Sequence, residues 1–483
     1  MINFRACYLY LIIVFVALFA VFPLTDSDIW WHLACARKWV TTWTPVREPV
    51  VNVHEYFQQV VAIVYDVGGA PLLVVFKAIL WGLVFALFLR GVKCRNLTSS
   101  AIAVVVLFIF RYQFEIRPVL FSLLFLGIYW NVLPWLFRTR NEMRGLCAKR
   151  VACVALVLVL QWLWCRFQGL YILGPLFALL ILWANGWSRR WGAFVVLLFA
   201  MPLLHRDGLN LFLYPFGLLD RLLGLSPSAA IFASEIAENR SPITLLLNGE
   251  NVLQSSMMIL LSLAGIVLAV RRLRHAETVW LLVTAVLALV AERNFVLFLP
   301  VFFAVGVKCW PRLCLCKQSH DVRPSRLPNR LPPAAYRLLP TLLIAFTLGL
   351  WAKSLAFYDR SMVAYQRVPV AATQWMLENP HSGRLFNDDR AGGYLAFMNP
   401  SDSTFIDGRF ILKTAEFFEK YLQYAESPQT FLHDADSLDI DRVVLPLRYY
   451  ARWDKLLETL DSSEKWHVAY RDSLFVVMDR TAH

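Results

Sequence analysis

Two carboxylates one residue apart, then two indoles and a histidine, stand together in Asp26-Ser27-Asp28-Ile29-Trp30-Trp31-His32. The stretch follows directly on an apolar segment, about Cys7–Leu24. Carboxylates that close repel each other, and ionising both beside a low-dielectric slab costs energy. A divalent cation or a basic partner removes that cost. Oxygen-only ligands favour a hard cation, so Asp26 and Asp28 are the expected ligands of Mg²⁺ or Mn²⁺, if a metal takes part. Either acid can also act as a general base toward an acceptor hydroxyl. The plainer role is capping of the next helix, with the tryptophans at headgroup level.

His54-Glu55 lies at the far end of the same loop, residues 25–69. Side-by-side packing of two amphipathic helices, Ile29–Val40 and about His54–Val67, brings these groups to one outward-facing cleft. Asp26, Asp28 and Glu55 are then the catalytic candidates, and His32 and His54 the substrate-binding ones. Glu55 also suits the positive end of a helix dipole. Forked guanidinium donors match phosphate. Arginines recur in short turns expected on the same face: Arg117 in Phe114-Glu115-Ile116-Arg117-Pro118, Arg166 in Trp164–Gly169, and Arg293 in Glu292-Arg293-Asn294. Carboxylates with guanidinium groups fit a phosphorylated lipid donor and a hydroxyl acceptor. The acids and arginines of His205–Val252, among them Asp207, Glu235, Glu238 and Arg240, are read as a solvated loop. Asp407-Gly408-Arg409 is read as a turn.

The elements that must hold these residues are set by a bilayer. The chain has 483 residues, 58% hydrophobic and only 17% charged, with mean hydropathy +0.54. That is the composition of a polytopic membrane protein. Eleven apolar runs are expected as spans: Cys7–Leu24, Ala70–Phe88, Ala101–Arg111, Val119–Phe137, Val151–Trp164, Leu170–Trp187, Trp191–Leu204, Leu253–Val270, Thr278–Ala291, Phe295–Val307 and Leu338–Phe357. The first is read as a retained helix. Basic residues cluster in every second loop, ending with Lys308 through Arg330. The positive-inside rule then puts the N-terminus inside, Asp26 and Asp28 outside, and everything after Phe357 outside. The net charge of +13 is thus a topology signal, not a nucleic-acid surface. Cys309, Cys314 and Cys316 lack a fourth ligand for zinc.

Residues 358–483 carry no further span and read as a soluble α/β domain. The expected helices are Val370–Glu378, Gly392–Phe397 and Thr414–Ala425. The expected strands are Arg384–Asn387, Thr404–Ile406, Asp441–Leu445 and Ser473–Met478. The chain has no phosphate-binding glycine loop, nucleophile elbow or zinc-protease helix. It also has few mid-span charges, Lys77 being the exception, which argues against an ion-coupled transporter.

Asp26-Ser27-Asp28-Ile29-Trp30-Trp31-His32-Leu33-Ala34 after a first span resembles the pattern of bacterial polytopic proteins of the GT-C superfamily. These are glycosyltransferases using polyprenyl-phosphate-linked sugars. The resemblance is closest to the dolichyl-phosphate-mannose–protein mannosyltransferase-like group. It continues through Asn52–Tyr56, Arg117–Ser122 and Glu292–Phe295, then Arg384–Asp388, Gly392–Leu395 and Phe405–Arg409. It implies a GT-C transmembrane domain, residues 1–357, followed by the extracytoplasmic domain 358–483. It also implies a catalytic acid or metal ligand at Asp26 or Asp28, with a polyprenyl-phosphate-linked sugar as donor. The acceptor would be an envelope glycan, lipid or protein at the outer face of the cytoplasmic membrane. Two other classes remain open from the sequence: a lipid-linked sugar flippase and a non-catalytic envelope assembly protein.

Overall fold

The computed structural model describes residues 7–46, 50–92, 97–138, 147–223, 226, 230–232, 237–313, 335–448 and 451–481. The loop segments 93–96, 139–146 and 314–334, with Glu235, Cys314 and Cys316, lie outside them. In chain order the helices are α1 Cys7–Phe19, α2 Asp28–Arg37, α3 Glu55–Phe88, α4 Leu97–Ile109, α5 Pro118–Arg138, α6 Cys147–Phe167 and α7 Leu173–Asn185. Then come α8 Arg189–Ala200, α9 Gly208–Leu223, α10 Pro242–Leu247, α11 Val252–Val270, α12 Ala276–Val290, α13 Phe295–Leu313 and α14 Ala335–Ala356. The tail adds α15 Val370–Glu378, α16 Asp389–Met398, α17 Ala415–Glu426, α18 Pro428–Ser437 and α19 Asp454–Asp461.

Each of the eleven apolar runs carries a helix over most of its length, the first stopping at Phe19, five residues short of Leu24. Among the described residues, five helices are long and apolar enough to cross a membrane, in α3, α5, α6, α11 and α14. A sixth is formed if Arg189–Leu204 and Gly208–Asp220, bent by 107°, count as one broken span. Four more apolar helices are shorter, at Leu9–Phe19, Leu97–Ile109, Gly169–Asn185 and Ala276–Val290. The second amphipathic helix and the second apolar run are one element, α3, kinked at Gly68 and Gly69. Gly69 has φ +63°, which a side chain disfavours, and Pro71 removes a helical donor just beyond it.

The chain divides into two compact units. The first joins Met1–Phe22, Val74–Phe212 and Ile236–Tyr358. In it α4 packs on α1 and α14, α5 on α6 and α7, and α12 on α7, α11 and α13. Lys77 is wholly buried there: its Nζ donates to the Phe22 carbonyl at 3.2 Å and lies 3.5 Å from Glu115 Oε2. The ammonium also sits 3.4 Å from the centre of the Phe22 ring. So Glu115 pairs with Lys77 across 38 positions of sequence. An unpaired charge at such a site would be costly, and the pair removes that cost.

The second unit joins Pro23–Leu73, Leu213–Glu235 and Asp359–His483. Its sheet has the order β1-β2-β4-β3, with β1 Arg384–Asn387, β2 Ile440–Pro446, β3 Trp466–Arg471 and β4 Phe475–Arg480. β1 runs parallel to β2, and both other pairs are antiparallel. Side chains alternate between faces. Phe386, Val443, Leu445, Val476 and Met478 enter an aromatic core with Phe405, Tyr421, Phe431 and Trp453. Leu385, Val444, Phe475 and Val477 enter a smaller one with Ala372 and Met376. Phe386 is fully buried amid five aromatic rings, so its truncation to Ala would cost roughly 3–5 kcal/mol. Thr404–Ile406 is not a strand of this sheet: Thr404 makes an isolated parallel bridge with Thr42 of the first loop. The strand the sequence reading omitted is β3, whose burial lacks a clean alternation.

Candidate active site in the first loop

Ser27 stands at the cap position of α2, yet its side chain makes no capping bond. The Asp28 amide instead donates to Asp26 Oδ1 at 3.2 Å, so the acid pair is organised by its own backbone. Asp26 is buried and Asp28 half-buried. The helix buries Ile29 through Cys35 without a break. Trp30 is fully enclosed, edge-on to Tyr394 at 4.8 Å and near Phe397 at 5.7 Å. Both indoles are covered by protein, which corrects the expectation of a headgroup-level belt. A buried Trp needs apolar walls, and the tail supplies them.

The two loop helices do meet. Gln59 Nε2 of α3 donates to the Ala36 carbonyl of α2 at 3.2 Å, and Arg37 pairs with Asp66 at 2.9 Å. This brings the His32 and His54 rings within 5.3 Å of each other, with Trp31 3.5 Å from His32 and 6.2 Å from His54. Glu55 is the first residue of α3, half-buried, at the positive end of its dipole. Asp26, Asp28, His32, His54 and Glu55 thus belong to one compact unit, within which the two histidine rings meet. The expectation of Mg²⁺ or Mn²⁺ on Asp26 and Asp28 meets a different outcome. Among the described residues no three His, Cys, Asp or Glu side chains gather as a metal centre requires. Two carboxylates do not make an all-protein cage, but with waters and a substrate phosphate they are what Mg²⁺ commonly takes from a protein, so the pair suits only an ion that arrives with the donor.

Glycines let α2 approach the tail. A Cβ on Gly393 of α16 would lie 2.8 Å from the Trp31 amide nitrogen. A Cβ on Gly408 would collide with Asp28 Oδ1 and come within 3.0 Å of Trp31 Cδ1 and Nε1. The Trp31 indole N–H is buried with no hydrogen-bond acceptor among the described residues. On either side of Gly408 is a buried ion pair. Asp407 Oδ1 accepts from Arg409 N at 2.9 Å and from Nε at 3.1 Å, and its Oδ2 accepts from Nη2 at 2.6 Å. Thr41 Oγ1 donates to Asp407 Oδ2 at 2.7 Å and accepts from Arg409 Nη2. Arg409 Nη1 donates to the Trp39 carbonyl at 3.0 Å. Burial works against the Asp407 charge, but the Arg409 guanidinium and these bonds hold its carboxyl below the usual range. Nearby, Lys413 Nζ donates to Thr42 Oγ1 at 2.9 Å, Thr44 Oγ1 at 2.8 Å and the Pro45 carbonyl at 3.1 Å. Burial pushes the Lys413 ammonium down to about 8. Burial also raises the Cys35 thiol to about 12, which removes it as a nucleophile at neutral pH.

Asp407-Gly408-Arg409 is therefore more than a turn: it fastens residues 39–45 of the first loop to the tail. Sequence reasoning passed over it because its partners, Trp39 and Thr41, are 370 and 368 positions away. The only local signal was its place in the GT-C-like pattern.

The arginines lie in the first unit. Arg117 holds Glu238 through two bonds, 2.8 and 2.7 Å, and Arg293 donates to the adjacent Asn239 at 2.9 Å. These two therefore converge. Arg166 is buried and ion-paired with Asp207. Tyr112 donates to Glu292 Oε1 at 3.1 Å, yet burial still leaves that carboxyl above its usual range. Glu238 and Asp207 are thus ion-paired while their side chains stay partly exposed to solvent.

No family model matches the chain, and no curated protein matches it in sequence. Solved structures do match. The Archaeoglobus fulgidus oligosaccharyltransferase in its apo form superposes with a TM-score of 0.55 at 14% identity, over 92% of this chain and 70% of that one. The same enzyme tethered through a disulfide to an acceptor peptide containing the NVT sequon gives 0.55 and 14%, over 91% and 69%. At that identity the likeness is one of fold alone: the chain shares the fold of these oligosaccharyltransferase structures over most of its length.

Proposed function

We propose that the protein is an integral membrane glycosyltransferase of inverting type. It moves a sugar from a polyprenyl-phosphate carrier to an acceptor at the outer face of the cytoplasmic membrane. The observation that carries the reading is a GT-C-type fold over nearly the whole chain, with an acid pair held directly after its first apolar helix. We assign the general base to Asp28, the half-buried acid of the pair, and a supporting role to buried Asp26, whose Oδ1 accepts from the Asp28 amide. In the step, the acceptor O–H or N–H gives its proton to Asp28. The acceptor atom forms a bond to the sugar C1, and the C1–O bond to phosphate breaks. The electron pair leaves on the carrier phosphate. His32, one turn of α2 on from Asp28, and His54, whose ring lies 5.3 Å from that of His32, would orient the sugar, with Glu55 next in sequence as a further acid. Arg117, Arg166 and Arg293 are the cations assigned to the departing phosphate. For Arg117 the phosphate must compete with Glu238, which already fills its fork. The donor is a lipid-linked sugar. The acceptor class, an envelope glycan, lipid or protein, is set by whichever nucleophile reaches Asp28.

The test uses purified protein in lipid with a panel of radiolabelled polyprenyl-phosphate hexoses and pentoses. The expected result is sugar release or transfer with carrier phosphate as co-product. Movement of intact donor across a vesicle membrane without cleavage would contradict the reading and favour a flippase.

A further inference from the structure

We infer that the Asp407-Gly408-Arg409 turn is a seat that positions Asp28 for the reaction, so that the tail shapes the reacting acid. The inference rests on Asp28 being the base. The Asp28 carboxylate lies against the Gly408 Cα, where any Cβ would strike it. The Trp31 ring presses on the same glycine, and the Trp31 backbone presses on Gly393. One turn of α2 is thus gripped by two glycines of the tail. The grip is held closed from outside. Arg409 reaches both Trp39 and Thr41, just beyond the end of α2, and Asp407 neutralises it inside the fold. The Arg409 guanidinium also lies 5.7 Å from the Trp31 ring centre and 5.1 Å from that of Trp39. A simple surface turn needs neither a buried ion pair nor glycines packed against the same helical residue. Ordinary backbone geometry does not require Gly408, since its φ lies outside the left-handed region. What it requires is space. Asp407, Gly408 and Arg409 are positioning residues, because none of them need touch the substrate.

The experiment compares the full chain with Gly408→Ala, Arg409→Lys and Asp28→Asn in lipid nanodiscs. Transfer is read with a radiolabelled polyprenyl-phosphate hexose, and hydrogen exchange is read at the α2 amides Ile29–Cys35. An added methyl displaces the carboxylate by about an ångström, and such misplacement lowers turnover roughly 100-fold. Gly408→Ala should therefore lose kcat by that order while the donor KM stays within twofold of the parent, with faster exchange in α2 and an unchanged melting temperature. Arg409→Lys keeps the charge but not the fork. It should fold, exchange faster at α2, and show a smaller loss of kcat. If Gly408→Ala does not fold, the Arg409→Lys arm decides alone. Parental kcat and parental exchange in the folded variants would overturn the seat. An inactive Asp28→Asn beside them would show that the base assignment survives. Should no hexose donor turn over, parental exchange in α2 overturns the seat and accelerated exchange supports it.

Discussion

Two residues of the second unit carry the most charge logic, and they differ in purpose. Asp28 is half-buried beside the Trp31 indole, whose buried N–H has no acceptor among the described residues. His381 is a pure strut. It bridges Asp441 Oδ1 at 2.5 Å and Asp402 Oδ2 at 2.9 Å. Burial opposes its charge, but the two carboxylates outweigh burial and raise it to about 9 from an ordinary 6.5. A raised folded-state value means stability that is complete below pH 6.5 and lost as pH climbs through about 9. The contribution is on the order of 3 kcal/mol. Melting curves of the full chain from pH 6 to pH 10 should show the tail weakening across that window, and His381→Gln should lose most of the slope. An identical slope in the variant would contradict this. At the acid end, His381 holds Asp441 below the usual carboxylate range despite burial, so its contribution fades as pH falls through that lowered value.

At the scale of elements, the buried Lys77–Glu115 pair fixes where the chain leaves α1. Lys77 grips the Phe22 carbonyl, four positions before Asp26. Removing one charge takes a buried ionic partner from the other, which costs roughly 3–5 kcal/mol, whereas replacing both by apolar side chains costs much less. Lys77→Met should therefore unfold in detergent well before the parent, and Lys77→Met with Glu115→Leu should recover most of the loss. Equal destabilisation of both variants would mean the pair is not a closed unit. Elements were also where the sequence read best. Val370–Glu378 and Arg384–Asn387 have the expected bounds, and all eleven apolar runs are helical over most of their length. Hydrophobic runs and period-3.6 or period-2 patterns are local, so one sequence suffices to see them. β3 and the helices α18 and α19 were missed because their apolar positions are few and their burial depends on partners far along the chain.

For the whole molecule, what the sequence concealed was contact. Spacing alone brought Asp26, Asp28, His32, His54 and Glu55 into one loop, and helix packing then placed the two histidines together. No spacing rule reveals that Thr41 meets Arg409, 368 positions on, or that Gly408 abuts Asp28, since only the folded chain brings such distant positions together. The arginines illustrate the opposite error. They were legible as cations, but their carboxylate partners Glu238 and Asp207 looked like loop polarity until the fold paired them. The central claim is that Asp28, supported by Asp26, performs the chemistry of a lipid-linked sugar transferase. The direct measurement is turnover of a radiolabelled polyprenyl-phosphate hexose by the parent, Asp28→Asn and Asp26→Asn proteins in lipid. The account predicts that Asp28→Asn loses at least roughly 100-fold in kcat, the low end of what a general base supplies. Asp26→Asn should lose less, because an amide oxygen can still accept from the Asp28 amide. Parental turnover in Asp28→Asn would contradict the account.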